Sequence, residues 1–148
     1  MELERDFKEL LALFNAHKVE HVIVGGYALA FHGAPRFTGD LDVFVKPDRQ
    51  NAQRVMAALA EFGFGSLGLS EADFAKSDQV VQLGVPPVRI DLITSLSGVS
   101  WQDAFDESVS ADLDNIRVRF ISRKHFVANK RAIGRKKDLA DLEALGEE

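Results

Sequence analysis

The sequence predicts an α/β fold in which helices cover a β-sheet. Four short apolar runs have the β-branched composition or the alternation that is typical of strands. They span residues 21–24, 40–45, 88–94 and 116–121. Between and around them lie segments with the spacing of amphipathic helices. Because strands and helices alternate along the first half of the chain, a layered arrangement of sheet and helices is expected.

Composition sets the class of protein. The chain has 148 residues, enough for one domain with a proper core and too few for two ordinary ones. Its 46% hydrophobic and 28% charged residues are typical of a folded soluble protein. The sequence shows no membrane-spanning run, no signal-peptide pattern and no cysteine. We therefore expect a cytoplasmic protein that has no membrane partner and no disulfide.

The predicted helices of the first half carry clear boundary signals. Residues 2–17 place apolar side chains on one stripe, formed by Leu3, Phe7, Leu10, Leu11 and Phe14. A second helix is expected to begin after the capping residue Asp48 and to end at Gly63. The region 63–84 is harder to interpret, with a helical turn near residues 70–76 and a strand near 78–84 as its predicted elements.

The second half ends in a predicted helical segment. A short helix is expected over residues 102–107, and the strictly alternating run 116–121 indicates a half-exposed strand near a sheet edge. Ser122 is a suitable N-cap for the next helix. Helical sequence then continues to the end of the chain, so residues 122–146 form a C-terminal helical segment.

Two features between residues 21 and 45 indicate a site for metal and phosphate. Asp40 and Asp42 begin a strand and point to the same face, where two carboxylates repel unless a cation lies between them. Mg²⁺ is commonly held by one or two carboxylates together with substrate phosphates. Gly25 and Gly26 end the preceding strand and lead into a helix, which leaves backbone N–H groups open to an anion. Alone, each feature is usually a turn or a solvated strand end, but the combination favours a site.

A third acid, Asp91, lies inside a predicted strand. It is the only acid in the run 88–94, and it shares a face with Arg89 and Ile93. An acid flanked by apolar residues needs a partner if it is buried. The sequence leaves two partners open, which are Arg89 or another cation of the chain, and a metal ion.

Basic residues are concentrated near the end of the chain. Nine of the 18 Lys and Arg residues lie between residues 117 and 137, with no Asp or Glu among them. The net charge of −5 argues against a nucleic-acid-binding surface over the whole protein. The basic stretch is either a solvated face that balances acids elsewhere or a docking surface for polyphosphate or RNA. Lys130 falls on the apolar stripe with Phe126 and Ile133, so it needs an anion, and a triphosphate would serve.

The stretch from Gly25-Gly26 through a spacer to Asp40-Leu-Asp42 resembles the signature of the nucleotidyltransferase superfamily that includes DNA polymerase β. The run Arg36-Phe-Thr38-Gly-Asp40 is most similar to the AbiEii-type toxins of toxin–antitoxin and phage-defence systems. The resemblance implies one minimal nucleotidyltransferase domain over 1–148, with a mixed sheet flanked by helices. Its parts are the core motif 21–45, the third-acid strand 88–94 and the basic C-terminal helices 122–146. The chain is short for an AbiEii-type toxin.

The resemblance also implies an activity and its residues. A nucleoside monophosphate would move from a nucleoside triphosphate (NTP) to an RNA (such as tRNA), a protein or a small molecule. Mg²⁺ or Mn²⁺ would be held by the catalytic acids Asp40, Asp42 and Asp91. The nucleotide-binding residues would be Gly25, Gly26, Arg36, Thr38, Lys130 and Asp138. A cognate antitoxin or a second copy of the chain is an implied partner. Two alternatives stay open, a nucleotide-binding sensor or partner module without catalysis, and an α/β interaction protein in which the acids are structural.

Overall fold

A computed structural model describes residues 3–34, 39–63, 68–85 and 88–147. The helices are α1 (Arg5–Ala16), α2 (Gly25–Phe31), α3 (Arg49–Phe62), α4 (Ala72–Ala75), α5 (Trp101–Asp106), α6 (Arg123–Ile133) and α7 (Lys136–Ala144). The strands are β1 (His21–Val24), β2 (Asp40–Val45), β3 (Val80–Val85), β4 (Val88–Ile93), β5 (Val109–Leu113) and β6 (Ile116–Phe120). The predicted α/β class is therefore confirmed.

The strands form one mixed sheet in the order β3-β4-β2-β1-β6-β5. Its centre pairs β1 with β2 in antiparallel fashion, and each of these strands has a parallel neighbour, β6 and β4 respectively. The outer pairs β3–β4 and β5–β6 are antiparallel. Every residue of β1 is buried, as expected for a strand at the centre of a covered sheet.

The first helix packs its predicted stripe into the core. Phe7, Leu10, Leu11 and Phe14 are at most 1% exposed. Burying each of these side chains is worth about 2 kcal/mol against leaving it in water. Helix α1 contacts α3, and the core extends from these helices to the apolar side chains of β1 and β2. This packing holds the central strands in place.

The predicted helix boundaries are confirmed by the cap contacts. The carboxylate of Asp48 accepts a hydrogen bond of 2.7 Å from the backbone N–H of Asn51, and Gly63 ends α3 at a φ of 104°. The hydroxyl of Ser122 accepts from the backbone N–H of His125 at 3.2 Å, at the start of α6. Helix α2 begins directly at Gly25, two residues earlier than its apolar run suggests.

Two elements refine the sequence interpretation. The uncertain region contains both expected elements, α4 and β3. Strand β5 was not predicted, and it lies outside β6 at the sheet edge. Apolar and polar residues alternate over the five residues of β5, although only the last of them is buried, so a signal for this strand was present in the sequence. Within the described residues, no helix is long and apolar enough to cross a membrane.

Candidate active site

The three predicted acids meet where β2 and β4 run side by side. In this parallel pair Asp40 lies opposite Arg89, and Asp42 lies opposite Asp91. Because side chains two residues apart share a face of a strand, all four project on the same side of the sheet. We call these four residues the acidic square. The structure thus brings together the acids that lie fifty residues apart in the sequence.

Arg89 ties two corners of the acidic square together. Its Nη2 donates to Asp40 Oδ2 at 2.9 Å and to Asp91 Oδ2 at 3.2 Å. Its Nε lies 3.1 Å from Asp91 Oδ1, an ion-pair distance without the alignment of a hydrogen bond. Among the described residues, Asp91 Oδ1 and Arg89 Nε are buried without a hydrogen-bond partner. One carboxylate oxygen therefore keeps an unused acceptor position.

Asp42 is the acid of the acidic square whose negative charge is least balanced by a cation. Burial raises the pKa of its carboxyl from 3.8 to about 7, aided by the charge of Asp91, a hydrogen bond with Asp91 and the charge of Asp40. The charge of Arg89 opposes this rise in pKa and is the weakest of these influences. The acidic square therefore has too little positive charge for its carboxylates, and a proton near neutral pH makes up part of the difference.

Gly25 lies against Asp42. Val24 pairs with Asp42 across β1 and β2, so the turn into α2 passes directly beside the carboxylate. A Cβ on Gly25 would lie 2.9 Å from Asp42 Cγ and would overlap its Oδ2. The φ of Gly25 is also +69°, in the region that side chains disfavour. Only glycine fits here, and its missing side chain leaves backbone close to the carboxylate. Gly26, by contrast, is buried.

The residues of the acidic square suit a divalent metal ion. They offer hard carboxylate oxygens, one of which is buried without a hydrogen-bond partner. The neighbouring Gly25 keeps the space beside Asp42 open. In the described part of the chain, however, no three carboxylates or imidazoles are already arranged as a metal-ligand group. Asp40, Asp42 and Asp91 are adjacent, yet Arg89 is bound to two of them.

The family model of the nucleotidyl transferases of unknown function, DUF2204, matches residues 3–148. The chain belongs to this family. The membership makes it a nucleotidyltransferase by class, as the resemblance of the sequence implied. The family description names no AbiEii-type branch, so that finer assignment stays a prediction. No curated protein matches the chain in sequence.

Solved structures share the fold of this DUF2204 member at low sequence identity. TM1012 of Thermotoga maritima, described as a candidate nucleotidyltransferase, has a TM-score of 0.61 and 13% identity over 94% of this chain and 89% of its own. The antibiotic-resistance factor ANT(2'')-Ia has a TM-score of 0.61 and 12% identity over 95% and 80%. The lincosamide adenylyltransferase LnuA, solved with lincomycin bound, has a TM-score of 0.58 and 14% identity over 97% and 96%.

Lys130 is buried as predicted, but its anions come from the chain itself. Its Nζ lies 3.3 Å from Asp138 Oδ1 and 3.1 Å from Asp141 Oδ2, both on α7. Asp138 also accepts from Arg135 Nε at 2.7 Å, and chiefly this bond lowers the pKa of the Asp138 carboxyl to about 2. Asp138 thus pairs with Lys130 inside the protein, while its expected contact with nucleotide stays a prediction. Binding of Lys130 to nucleotide phosphate stays a prediction.

Asp141 lies inside the protein and not on the exposed surface of α7. It is 3% exposed and pairs with Lys130. The remaining predicted nucleotide ligands, Arg36 and Thr38, lie outside the described residues. The Nε2–H of His32 donates to the backbone carbonyl of Ile121 at 2.7 Å, so this histidine has a structural partner.

Acids from elsewhere in the chain partner much of the basic stretch 117–137. Arg117 pairs with Asp112 on β5, Lys124 lies 3.8 Å from Glu107, and both Arg123 and Arg131 reach Glu147. These pairs are mostly exposed and individually weak. They match the interpretation of a solvated face that balances acids elsewhere, one of the two left open by the sequence.

A cleft of about 480 Å³ lies at the opposite end of β1 from Gly25. Its lining includes His21, Lys18, Arg117 and Arg119 but none of the acidic square. The acidic square, and not this cleft, is therefore the candidate active site.

The sequence pattern indicated Arg89 only as one possible partner of Asp91. Its contact with Asp40 was missed, because that contact depends on the register of β2 against β4. The available signal was the shared strand face of Arg89 and Asp91, which places a guanidinium beside whatever Asp91 binds.

Proposed function

We propose that this chain is a nucleotidyltransferase that uses Mg²⁺ or Mn²⁺ to move a nucleoside monophosphate from an NTP to a hydroxyl or phosphate group of an acceptor. The observation that carries the proposal is the acidic square, with Asp42 directly across from Asp91 and Asp40 beside them. A purely structural role would not require a half-buried carboxyl whose pKa is raised to about 7.

The metal ion would be held by Asp40, Asp42 and Asp91. When bound, a divalent ion supplies positive charge that stabilises the attacking and leaving oxygens of an in-line displacement. Two features support this assignment. The carboxylates lack compensating charge, and Gly25 leaves room next to Asp42 that any other residue would fill. The close approach of the Gly25 backbone also supports a role for this turn beside the triphosphate.

The chain's own groups would orient the reactants and move one proton. The acceptor oxygen forms a bond to the α-phosphorus, the bond from that phosphorus to the pyrophosphate oxygen breaks, and the acceptor proton passes to a carboxylate. Asp91 is the proposed proton acceptor, because its side chain is only 12% exposed and lies directly opposite Asp42. The carboxyl of Asp42 lies within hydrogen-bond reach of it.

The acceptor class is proposed from chemistry and from the neighbours in fold. A hydroxyl on an RNA such as tRNA, on a protein or on a small molecule satisfies the reaction equally. LnuA is described as a lincosamide antibiotic adenylyltransferase, and ANT(2'')-Ia as an antibiotic-resistance factor. The ion pairs of the basic stretch leave less free positive charge for an RNA backbone, which favours a small-molecule or protein hydroxyl. A role as the toxin of a toxin–antitoxin pair, in complex with an antitoxin or as a homodimer, belongs to the same proposal.

The test supplies purified protein with Mg²⁺, each of the four α-labelled NTPs in turn, and total cell extract. Label should move to an acceptor with the wild-type chain and not with the Asp40→Ala/Asp42→Ala double variant. Asp112→Ala is the matched control, because this acid lies exposed on the edge strand β5 and contacts Arg117. Separating RNA, protein and small-molecule fractions then identifies the acceptor class.

Three outcomes are informative. Transfer that survives in the double variant would contradict the assignment of the site. NTP binding without transfer would favour the sensor or partner module. The absence of both transfer and NTP binding in a folded wild-type protein would refute the enzyme proposal.

A further inference from the structure

The acidic square contains a cation supplied by the chain itself. One nitrogen of Arg89, Nη2, donates to oxygens of two different carboxylates, on Asp40 at 2.9 Å and on Asp91 at 3.2 Å. A divalent metal ion at this site would likewise be shared between carboxylates of neighbouring strands. The guanidinium thus lies where the metal ion proposed above would have to bind.

A guanidinium and a divalent ion exclude each other from this place. Each oxygen that Arg89 holds is turned toward its nitrogen, and a second cation at the same oxygens would be strongly repelled at such short distance. The described acids do not form a ready metal-ligand group, although three of them are adjacent. Two of the three carboxylates are instead engaged by the guanidinium of Arg89.

The position of Arg89 also allows its guanidinium to leave the carboxylates. Its side chain is 29% exposed, whereas the side chain of its partner Asp91 is 12% exposed. An arginine at the rim of a site can rotate its head group into water while its stem stays on the sheet. The ion cluster of α6 and α7 differs in this respect, because the side chains of Lys130, Asp138 and Asp141 are at most 10% exposed.

We propose that Arg89 is an internal counter-cation that occupies the metal position between Asp40 and Asp91 in the metal-free protein and must be displaced before a divalent ion binds. Arg89 thereby weakens metal binding to the free protein and keeps the carboxylates from repelling each other until the metal arrives. The inference rests on the proposed metal-dependent function and concerns the regulation of that same site.

The test measures binding of Mn²⁺ alone, without nucleotide, by isothermal titration calorimetry of the whole chain. Arg89→Gln removes the competing charge, and we expect it to bind Mn²⁺ about tenfold more tightly than wild type. Arg117→Gln is the matched control, since it removes the same charge from another strand of the sheet and loses only an exposed pair with Asp112. It should change Mn²⁺ affinity by less than about twofold.

A second variant covers the case in which Arg89→Gln does not fold. Arg89→Lys keeps the charge but has a single ammonium, which cannot bridge two carboxylates as a planar fork does. Its Mn²⁺ affinity should lie between those of wild type and Arg89→Gln. A direct readout is the ¹⁵N–¹H signal of the Arg89 Nε, which should shift on addition of Mg²⁺ to the wild-type protein as the guanidinium leaves the acids.

The outcomes separate this inference from the proposed function. If wild type binds Mn²⁺ and Arg89→Gln binds it equally tightly or more weakly, the displacement is overturned. The proposed metal-dependent transfer is then left intact. An Arg89 Nε signal that stays unchanged at saturating Mg²⁺ would overturn it as well. If neither wild type nor the folded variants bind Mn²⁺, both the displacement and the metal-dependent function are refuted.

Discussion

Asp42→Asn should stabilise the metal-free protein while removing its activity. Burial and neighbouring acids raise the pKa of the Asp42 carboxyl from 3.8 to about 7 in the folded chain. The folded state therefore binds the proton more tightly than the unfolded state, and ionisation of Asp42 favours unfolding. Asparagine resembles the protonated carboxyl, since it is neutral and its amide can donate to Asp91.

The size of the effect follows from the change in pKa. Each pKa unit corresponds to about 1.4 kcal/mol, so the rise from 3.8 to about 7 sets a ceiling of about 4 kcal/mol on the penalty. The penalty is absent below about pH 4, grows between about pH 4 and pH 7, and is complete above about pH 7. Relaxation around this half-buried group reduces the penalty. We therefore expect the free energy of unfolding of Asp42→Asn to exceed that of wild type by about 1–3 kcal/mol at pH 8.

The assay is urea unfolding of wild type and variant at pH 4, 6 and 8 in the presence of EDTA. The difference in free energy of unfolding should increase with pH in favour of Asp42→Asn. Asp112→Asn is the control, because its exposed ion pair with Arg117 should be worth less than about 1 kcal/mol at any pH. If Asp42→Asn is equally stable or less stable than wild type at pH 8, Asp42 is a satisfied structural residue and the reasoning is refuted.

Three further predictions concern the same protein. Because Asp42 must lose its proton to bind a metal ion, Mn²⁺ affinity of the wild type measured by calorimetry should rise about tenfold from pH 6 to pH 8, and a pH-independent affinity would exclude Asp42 as a ligand. Gly25→Ala should abolish nucleotidyl transfer and lower the free energy of unfolding by more than about 2 kcal/mol, because the added Cβ overlaps Asp42. Gly68→Ala, at a similar φ of +73° but with no atom within 4 Å of its Cβ, should cost only about 1 kcal/mol and keep activity, so equal losses in the two variants would contradict the clash. Lys130→Met should lower the free energy of unfolding in urea by about 2–4 kcal/mol, since it leaves two buried aspartates on α7 short of positive charge. A folded Lys130→Met protein of normal stability that has lost NTP binding would instead establish Lys130 as a phosphate ligand.

Local signals in the sequence were enough to predict most of the fold. The stripe of α1, the caps Asp48 and Ser122, and the alternation of β6 each depend on residues a few positions apart. Such patterns report the period of a helix or a strand directly. Strand β5 carries the same kind of local signal, since apolar and polar residues alternate along it, but the run is only five residues long and the strand is mostly exposed.

The sequence by itself also predicted which residues form the candidate site. The order of Gly25, Asp40 and Asp42 in one short stretch was sufficient to predict the metal and phosphate chemistry, and the family supports the class of reaction. Only the tertiary structure decided how those groups meet. The register of β2 against β4 places Asp42 opposite Asp91 and Arg89 beside Asp40, and the packing of α6 on α7 gives Lys130 its two carboxylates. These contacts join segments far apart in the chain, and their geometry is set by the burial of the whole sheet and its helices, which no local pattern encodes.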